Sequence, residues 1–352
     1  MMSLNICDFI TNKRPVLLLA PMQDVTDLPF WRVMHRYGGP DIYFTEYFRV
    51  YPNSRPEKHI LECVRKNPSN KPVLAQMIGR DIPSLLRTAE ALQGENILGL
   101  DLNLGCPAPI VCKKSSGGGM LREKEHLLEV LEVLREAITG NFTIKTRIGF
   151  YDENEFDELL GIFSQVPVDA VTVHGRTVKE MYRANVHYDR ITQAVRVMST
   201  RSIPVFANGN VLSAHIAKRV AQDTGAAGLM IGRGCIRNPW IWDQIKELYE
   251  FGEVQTQPTL RDLREYIDCL YKETTPIHLP EKVKVAKMKK YMNFIAQGIG
   301  PEESFLFEIR RVNSEKEFFN CCDRWLMEKE FFQPEMHGGA LVNSGNPRND
   351  CY

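Results

Sequence analysis

The chain has 352 residues, of which 43% are hydrophobic and 25% charged. This composition is typical of a globular protein and excludes collagen, coiled coil and general disorder. Its 44 basic residues balance 44 acidic ones, so any nucleic acid would have to bind at a local basic patch rather than through net charge.

The longest apolar run near the N-terminus covers residues 16–20. It is far shorter than the roughly 20 residues of a membrane-spanning helix, and no leader pattern precedes it. We therefore expect no membrane contact and a cytoplasmic location. The 9 cysteines include the adjacent pair Cys321 and Cys322 and form no C-x-x-C spacing, which indicates reduced thiols. We expect no metal site and a monomeric chain.

Short apolar, β-branched runs recur from the N-terminus onwards, and each predicts a buried strand. They lie at residues 16–21, 42–45, 72–78, 97–104, 142–148, 170–174, 203–207 and 227–231. Amphipathic stretches such as 82–92 and 126–138 lie between them and predict helices. Eight β/α units in about 240 residues predict an α/β fold, the (β/α)8 TIM barrel. A doubly wound sheet is the alternative, but it would need a G-x-G-x-x-G motif after the first strand, where the chain reads APMQ.

After Trp240 only helical patterns follow, at residues 260–274, 281–297, 302–312 and 315–329. They predict a small C-terminal helical domain. We place the barrel at residues 1–245, the helical domain at 246–332, and a loosely ordered tail rich in Gly, Asn and Pro at 333–352.

Polar residues that are unusual for a core stand at the ends of all eight predicted strands, which is where a TIM barrel builds its active site. They are Met22 with Gln23, Glu46, Gln76, Asn103 with Cys106, Lys145 with Arg147, His174 with Arg176, Asn208, and Gly232 with Arg233. Any one of them alone is equally typical of a turn or a solvated charge. Their recurrence in every unit indicates a functional site.

The last two units carry the most specific pattern. NGN at 208–210 follows the seventh strand and GRG at 232–234 follows the eighth, where barrels commonly bind phosphate. Glycine lets backbone N–H groups approach an anion, and Arg233 adds a cation. The alternative is that the two motifs are ordinary glycine-containing turns that bind no ligand. Lys145 and His174 on neighbouring strands can bind the carbonyl and N1 edge of an electron-poor heterocycle, or simply an anion.

A cysteine stands just past the fourth strand, in DLNLGCP at 101–107. The loop beyond it holds Lys113, Lys114 and the glycine triplet at 117–119, and we expect a loop this rich in glycine to be mobile. Cysteines are more often buried and inert than catalytic. A thiol at a strand end beside two lysines is nevertheless a candidate for function, with Cys112 in the same loop as the rival to Cys106.

These motifs in order resemble the tRNA-dihydrouridine synthase family. The resemblance rests on APMQDVTD at 20–27, DLNLGCP at 101–107, KTR at 145–147, HGRT at 174–177, NGN at 208–210, and MIGRG at 230–234 with NPW at 238–240. It covers residues from about 16 to 245, and the helical region after them suits the tRNA-binding domain of that family.

The resemblance implies a barrel that binds FMN and reduces a uridine in the D-loop of tRNA to 5,6-dihydrouridine, with NADPH as electron donor. It implies Cys106 as the general acid and places Asn103, Arg147 and Arg176 on the substrate side. The implied FMN contacts are Pro21, Met22, Gln76, Lys145, His174, Asn208, Gly209, Gly232 and Arg233.

Two positions depart from the family pattern. The family often has a lysine three or four residues after the cysteine, where this chain has Pro109 and Ile110, so the role of that lysine is absent or falls to Lys113 or Lys114. An acidic residue usually follows the Asn-Gly pair, and here it is Asn210.

The chemistry of uracil fits the proposed residues. Its C5=C6 bond is conjugated to the C4 carbonyl, so hydride from flavin N5 should go to C6 and leave an enolate-like charge that an acid protonates at C5. One thiol on the opposite face of the base suffices. A base of folded tRNA must be extruded into the barrel mouth, which explains an added RNA-holding domain.

Residues 282–290 contain five lysines and no acidic residue. On a helix, Val285, Met288, Met292 and Ile295 would share one face, with Lys287 and Lys290 projecting from the opposite one. A solvated helix face is the alternative, but together with the resemblance the pattern predicts contact with the tRNA backbone.

Two other functions are compatible with parts of the sequence. An FMN barrel acting on a free pyrimidine, in the manner of a dihydroorotate dehydrogenase, would have no need of the helical domain. A catalytically idle barrel that only binds RNA would have no need of Cys106 and the complete set of flavin contacts.

Overall fold

Apolar runs and amphipathic stretches fold into alternating strands and helices in the computed structural model, which describes residues 4–327. The strands are β1 (Val16–Leu19), β2 (Tyr43–Phe44), β3 (Phe48–Arg49), β4 (Val73–Ile78), β5 (Gly99–Leu104), β6 (Asn141–Arg147), β7 (Ala170–His174), β8 (Val205–Asn208) and β9 (Gly228–Ile231). All eight predicted strands are present, and the two-residue β3 was not predicted. The tail predicted at 333–352 lies outside the described residues.

The strands close into a barrel. They form one parallel sheet in the order β1-β9-β8-β7-β6-β5-β4-β2, and β3 also pairs with β4. The two ends of this order meet where Leu18 of β1 bridges Ile42, and the backbone N–H of Leu19 donates to the Ile42 carbonyl at 3.1 Å. The predicted (β/α)8 TIM barrel is therefore confirmed.

The helices follow the strands and then continue alone. They are α1 (Leu28–Arg36), α2 (Lys58–Arg65), α3 (Ile82–Gln93), α4 (Pro109–Cys112), α5 (Lys124–Ala137), α6 (Phe156–Phe163), α7 (Tyr188–Ser199), α8 (Ala214–Thr224), α9 (Arg233–Arg237), α10 (Ile241–Glu250), α11 (Leu260–Thr274), α12 (Glu281–Ile295), α13 (Ser304–Ile309) and α14 (Glu315–Leu326). Within residues 4–327 no helix combines the length and the apolar character needed to cross a membrane.

The helix predicted at 302–312 is shorter than expected. Glu302 and Glu303 have φ angles of 51° and 59°, which interrupt the helical backbone. A 3₁₀ turn over Pro301–Glu303 therefore precedes α13. The described part of α14 ends at Leu326, and residues 328–329 of the helix predicted there lie beyond the described range.

The register of the parallel strands stacks polar side chains in layers inside the barrel. Paired residues on neighbouring strands point to the same face of the sheet. From the middle of the barrel towards its C-terminal mouth, the layers are Gln76–Asp101–Thr143, Asn103–Lys145, and Arg147–His174–Asn208.

The opposite end of the barrel is filled by an apolar plug. Ile6, in a 3₁₀ turn over Ile6–Phe9, is completely buried among inward-facing strand residues such as Leu18, Leu74 and Phe206. The Asn141 side chain fixes the plug, because its Oδ1 accepts from the Ile6 N–H at 2.9 Å and its Nδ2 donates to the Leu98 carbonyl at 2.7 Å. Apolar packing therefore fills one end and the polar layers face the other.

The helical region shares a continuous core with the barrel. Tyr37, the C-cap of α1, meets the rings of Trp240 and Tyr266 edge to face, with centroids 5.4 Å apart in both pairs. On α12, the Tyr291 ring stacks on Phe30 of the barrel at 6.1 Å. The helical region thus lies against α1 and the β1–α1 turn, on one side of the barrel mouth.

Candidate active site

A cavity of about 340 Å³ opens at the C-terminal mouth of the barrel. This is the size of a small-molecule site, and parallel strands bring their C-terminal ends together there. The predicted site residues that line it are Pro21, Met22, Asn103, Cys106, Lys145, Arg147, His174, Asn208, Gly209, Gly232 and Arg233.

Two predicted site residues of the barrel lie away from the cavity surface. Gln76 is completely buried in the layer below, where its Nε2 donates to Asp101 Oδ2 at 2.7 Å and its Oε1 accepts from Asn103 Nδ2 at 2.8 Å. Arg176 is also buried, and its Nε donates to the Ala184 carbonyl at 2.6 Å. Burial lowers the pKa of Arg176 to about 10.

The two predicted lysines of α12 are also outside the cavity wall, and both are half-buried. The expected apolar face of this helix is confirmed, because Val285, Met288, Met292 and Ile295 are all buried. Lys287 does not simply project into solvent, since its Nζ pairs with Asp27 Oδ2 at 3.2 Å. Asp27 is the N-cap of α1, so this ion pair joins the lysine-rich helix to the barrel.

A chain of hydrogen bonds runs from the buried layer to the cysteine. Burial raises the pKa of Asp101 to about 7, and Thr143 and Gln76 donate to its two carboxyl oxygens. Gln76 in turn accepts from Asn103, whose Oδ1 accepts the backbone N–H of Cys106 at 2.9 Å. The turn that carries Cys106 is therefore held from inside the barrel.

Cys106 and Cys112 differ in their access to the cavity. Cys106 is half-buried and lines the cavity, and burial raises the pKa of its thiol. The Cys112 thiol is buried and donates to the Cys106 carbonyl at 3.4 Å, and it does not line the cavity. Of the two cysteines, Cys106 is the one placed to give a proton to a bound molecule.

Cations gather on the barrel side of the cavity. Burial, followed by the charge of Arg147, lowers the pKa of Lys145 to about 8. Burial and the neighbouring cations hold the pKa of His174 well below its usual range, so the ring is neutral. Among the described lining residues Asp24 is the only acid. The cavity therefore attracts an anion or a ring that accumulates negative charge.

The His174 ring has an unmet hydrogen-bonding capacity. Its Nδ1 is buried and has no hydrogen-bond partner within residues 4–327. Buried polar atoms are nearly always paired in folded proteins. Since His174 also lines the cavity, a ligand in that cavity is the natural partner for this nitrogen.

Tyr182 packs between the cations. Its ring lies 5.2 Å from the Arg147 guanidinium carbon and 4.7 Å from that of Arg233. The ring also meets His174 edge to face at 6.0 Å. Cation–π contacts on one aromatic ring offset part of the repulsion between the arginines.

The two glycine turns bring backbone to the cavity edge. Gly209 has a φ of +131°, and a Cβ there would lie 3.0 Å from Val186. A Cβ at Gly232 would lie 3.1 Å from Met22 Sδ. Asn210 Oδ1 accepts from Arg233 Nη2 at 3.1 Å, which ties one turn to the other.

The Arg147 guanidinium donates hydrogen bonds to two loops. Its Nε donates to the Gly105 carbonyl at 2.9 Å, and its Nη1 donates to the Thr177 and Met181 carbonyls at 2.8 and 2.7 Å. The guanidinium therefore ties the turn before Cys106 to the loop after β7.

The glycine triplet beyond Cys106 does not form the open loop that its composition suggests. Residues 117–119 are buried in a 3₁₀ turn over Gly117–Arg122. A Cβ at Gly118 would lie 2.5 Å from Val178, and one at Gly119 would lie 2.6 Å from the Cys112 carbonyl. Glycine is needed here for close packing. Lys113 and Lys114 are exposed and outside the cavity wall.

The β1–α1 turn depends on a buried carboxyl group. Glu46 is 3% exposed, its Oε1 accepts from the Val25 N–H at 3.1 Å, and its Oε2 accepts from Gln23 Nε2 at 3.4 Å. Burial, together with the charges of Asp27 and Asp24, raises the pKa of Glu46 to about 8. Glu46 therefore holds the turn that carries Pro21 and Met22.

Several lining residues were not predicted. Tyr47 and Arg49 line the cavity from the short β2–β3 segment, and Phe294 reaches it from α12. The short β3 has no periodic signal that would have marked a second strand end. Phe294 comes from the helical region, so no barrel pattern could have revealed it. Within residues 4–327 no cluster of three or more His, Cys, Asp or Glu side chains could hold a metal ion.

Comparison with known proteins gives a consistent family match. The dihydrouridine synthase family model matches residues 18–330. The chain is 30% identical over 324 residues to tRNA-dihydrouridine synthase B of Pasteurella multocida, covering 89% of this chain and 95% of that protein. It is 32% identical over 305 residues to tRNA-dihydrouridine synthase B of Pseudomonas aeruginosa, covering 84% and 88%. It is 29% identical over 306 residues to tRNA-dihydrouridine(16) synthase of Haemophilus ducreyi, covering 84% and 90%.

The raised pKa of Glu46 predicts a specific pH dependence of stability. In the unfolded chain the carboxyl ionises near 4.5 and in the folded protein near 8, so the unfolded state binds fewer protons between these values. Wild-type stability due to this group should therefore fall as pH rises through that window, by at most about 1.4 kcal/mol per pH unit. Glu46→Gln removes the effect, so the unfolding free energy of wild type minus that of the variant should fall from pH 5 to pH 8 in urea titrations.

The exposed Glu90→Gln serves as the matched control, because it removes one carboxylate outside the site. A pH-independent difference between wild type and Glu46→Gln would contradict a raised pKa at this position.

Proposed function

The chain belongs to the dihydrouridine synthase family, and we propose that it reduces a uridine in the D-loop of tRNA to 5,6-dihydrouridine. The observation that carries the proposal is that the Cys106 thiol, Lys145 and the neutral His174 all line one cavity. The names of the three relatives described above, all tRNA-dihydrouridine synthases, support tRNA as the substrate.

The cavity fits FMN. The unpartnered His174 Nδ1 is a ready hydrogen-bonding group for the flavin ring, and Lys145 adds a positive charge for its reduced form. Gly209 and Gly232 line the cavity beside Arg233, and neither carries a side chain that would keep a phosphate away from the backbone. When bound, FMN would supply the hydride from its N5 for C6 of uracil, with NADPH as the electron donor.

The other predicted FMN residues have distinct parts in this proposal. Pro21 and Met22 would pack against the ring, and Asn208, whose Nδ2 donates to the Met230 carbonyl at 2.8 Å, would face it from the outermost layer. Gln76 would act indirectly, because its amide is engaged by Asp101 and Asn103.

Cys106 supplies the proton. Its raised pKa keeps the thiol neutral near pH 7, and a neutral thiol has a proton to give. In the proposed step the S–H bond breaks, the proton goes to C5 of the uracil, and the sulfur keeps the electron pair. Asn103 and Arg147 hold the turn on which the thiol stands, so both support the substrate side without needing to touch the base.

The substrate-side role of Arg176 is the weakest of those implied by the family. Its side chain is buried behind the cavity wall, but its Nη1 has no hydrogen-bond partner in the described part of the chain. We propose that it adds positive potential to the site together with Arg233; burial and then the charge of Arg233 lower the pKa of Arg176.

The tRNA would be held by the helical region while the base enters the cavity. A uridine inside folded RNA has to leave its stack before it can reach a thiol at the barrel mouth. Lys287 and Lys290 lie on α12, which also places Phe294 at the cavity edge. Phosphate contact by these lysines would therefore bring the RNA backbone close to the mouth.

Cys106→Ala tests the central assignment. Loss of the general acid should lower dihydrouridine formation in tRNA by about 10²–10⁴-fold, while FMN content and NADPH oxidation stay unchanged. Mass spectrometry of nucleosides from treated tRNA measures the product.

Cys112→Ala is the matched control, since its thiol faces the Cys106 carbonyl instead of the cavity. If Cys112→Ala loses activity and Cys106→Ala does not, the acid is misassigned.

The FMN site predicts a yellow protein whose flavin depends on two cations. Lys145→Ala removes a partner of the ring and Arg233→Ala a partner of the phosphate, and each should weaken FMN binding by roughly 10- to 100-fold. Equilibrium dialysis followed by flavin absorbance gives the dissociation constants. Lys113→Ala removes the same charge at an exposed position and should bind FMN like wild type. A colourless wild type that takes up no FMN would refute the cofactor assignment.

The lysines of α12 predict salt-sensitive RNA binding. Lys287→Ala with Lys290→Ala should raise the KM for tRNA and flatten the salt dependence of binding by about one unit of slope for each lost phosphate contact. FMN content should not change. Lys282→Ala with Lys284→Ala, nearer the start of the same helix, is the charge-matched control. Wild-type tRNA affinity and salt slope in Lys287→Ala with Lys290→Ala would assign the backbone contact to other residues.

A further inference from the structure

One residue of the cavity wall comes from outside the barrel. Among the described residues that line the cavity, Phe294 is the only one that belongs to the helical region. It lies in the last turn of α12 and is half-buried. The proposed reaction assigns it no part.

A buried arginine holds the end of α12 on the barrel. Arg237 is 4% exposed, and its Nη1 donates to the carbonyls of Phe294 at 3.3 Å and Gln297 at 2.6 Å. The last carbonyls of a helix have no partner within the helix and lie at its negative end, where a guanidinium is favourable. Arg237 is the last residue of α9, whose first residue, Arg233, lines the cavity. The backbone of Phe294 is therefore fixed to the element that carries Arg233.

Two further contacts hold α12 on the β1–α1 turn. The Tyr291 hydroxyl donates to the Val25 carbonyl at 3.4 Å, and Lys287 Nζ pairs with Asp27 Oδ2 at 3.2 Å. Val25 itself lines the cavity. Because β1 and β9 are neighbouring strands, α12 spans the segments that follow both of them, on one side of the mouth.

This side of the mouth lies opposite the thiol. The strand before Cys106 is β5, which is four strands away from β9 in either direction around the barrel. Phe294 and Cys106 therefore stand on opposite sides of the cavity. A nucleotide whose base reaches Cys106 has its neighbours in the strand at the mouth, where α12 lies.

Phe294 shares one face of α12 with two lysines. Residues three, four and seven apart lie on the same side of a helix, so Lys287, Lys290 and Phe294 form a row. The two lysines are those proposed above to contact the RNA backbone. A strand held by its phosphates along this row has its bases within reach of an aromatic ring, and aromatic rings stack on any base.

The base that meets this ring is not the one that is reduced. In the proposed reaction the hydride comes to one face of the uracil and the Cys106 proton to the other, so both faces are used. The ring of Phe294 is thus left to the next base of the strand.

We propose that Phe294 is a stacking platform for the nucleotide next to the uridine that is reduced, and that Arg237 is the positioning residue that holds this platform at the mouth. The inference rests on the proposed function, because it concerns the same RNA and the same cavity. Extrusion of a uridine deprives its neighbour of a stacking partner, and the ring of Phe294 replaces that partner. The contact favours one placement of the strand over the cavity and so contributes to the choice of uridine.

Phe294→Leu tests the platform, because it keeps an apolar side chain at this position and removes the aromatic face. We expect the dissociation constant of a fluorescently labelled tRNA transcript, measured by anisotropy, and the KM for tRNA to rise by about tenfold, while kcat and FMN content stay unchanged. Phe294→Tyr keeps the ring and should bind tRNA like wild type. Phe307→Leu is the matched control, since Phe307 is an exposed phenylalanine of α13 outside the cavity wall.

Modified tRNA identifies the stacked base. Two transcripts carry an abasic nucleotide, one on the 5′ side and one on the 3′ side of the reduced uridine. The effect of Phe294→Leu should disappear with one of them, because no base is left to stack there. An undiminished effect with both transcripts would refute stacking on the neighbouring nucleotide.

Arg237→Met tests the positioning role, because it keeps an unbranched side chain and removes both hydrogen bonds to the end of α12. Its KM for tRNA should rise as in Phe294→Leu, and the double variant should be no worse than the weaker single one, since both changes disturb the same contact. Additive effects would show that Arg237 does not act through Phe294. Arg237→Lys, which retains a charged donor, serves the same comparison if Arg237→Met does not fold.

The outcomes separate this inference from the proposed function. If wild type forms dihydrouridine and Phe294→Leu binds tRNA as tightly as wild type does, the platform is wrong and the proposed function stands. If Phe294→Leu weakens tRNA binding while wild type forms no dihydrouridine, the platform stands and the proposed reaction fails. Weaker binding, an unchanged kcat and loss of the effect with one abasic tRNA support both.

Discussion

A carboxyl group buried inside a barrel has to be hydrogen-bonded on every side, and the site depends on how this chain meets that demand at Asp101. Thr143 and Gln76 donate to its oxygens, Gln76 is held in turn by Asn103, and Asn103 fixes the backbone of Cys106. Each side chain in this series is hydrogen-bonded to the next one. The position of the thiol is therefore set by residues from β4, β5 and β6 together. Parallel register is what brings these three strands into one layer.

The cavity above this network collects positive charge at a cost in repulsion. Lys145, Arg147 and Arg233 lie around His174, and burial together with these charges lowers the pKa of its ring, which is neutral. Tyr182 and the backbone carbonyls bound by Arg147 offset part of the repulsion. An anionic ligand would relieve the rest, so the same charges that repel one another would contribute to binding.

Much of this arrangement can be predicted from the sequence, because buried parallel strands leave continuous apolar runs and the residues after them must gather at one end. That reasoning found all eight main strands and 11 of the residues that line the cavity. It does not tell which strand-end side chains reach the cavity surface. Gln76 and Arg176 stand at strand ends, yet neighbouring groups engage them below or behind that surface. Tyr47 was not predicted to line the cavity, because the neighbouring strand β3 has only two residues and gives no pattern in the sequence. The glycine triplet predicted a mobile loop, because composition alone does not show that its glycines are needed for close packing.

The plug at the closed end of the barrel bears on the order of folding. Ile6 and Asn141 are 135 residues apart in the chain, and several strands of the barrel lie between them. Closing so long a loop before those strands have assembled would sacrifice chain entropy for a single hydrogen bond and one buried side chain. The hydrogen bond and the buried side chain of Ile6 therefore add to stability only when β6 has already paired with its neighbours, because only then is the entropy of closing the loop offset by other contacts.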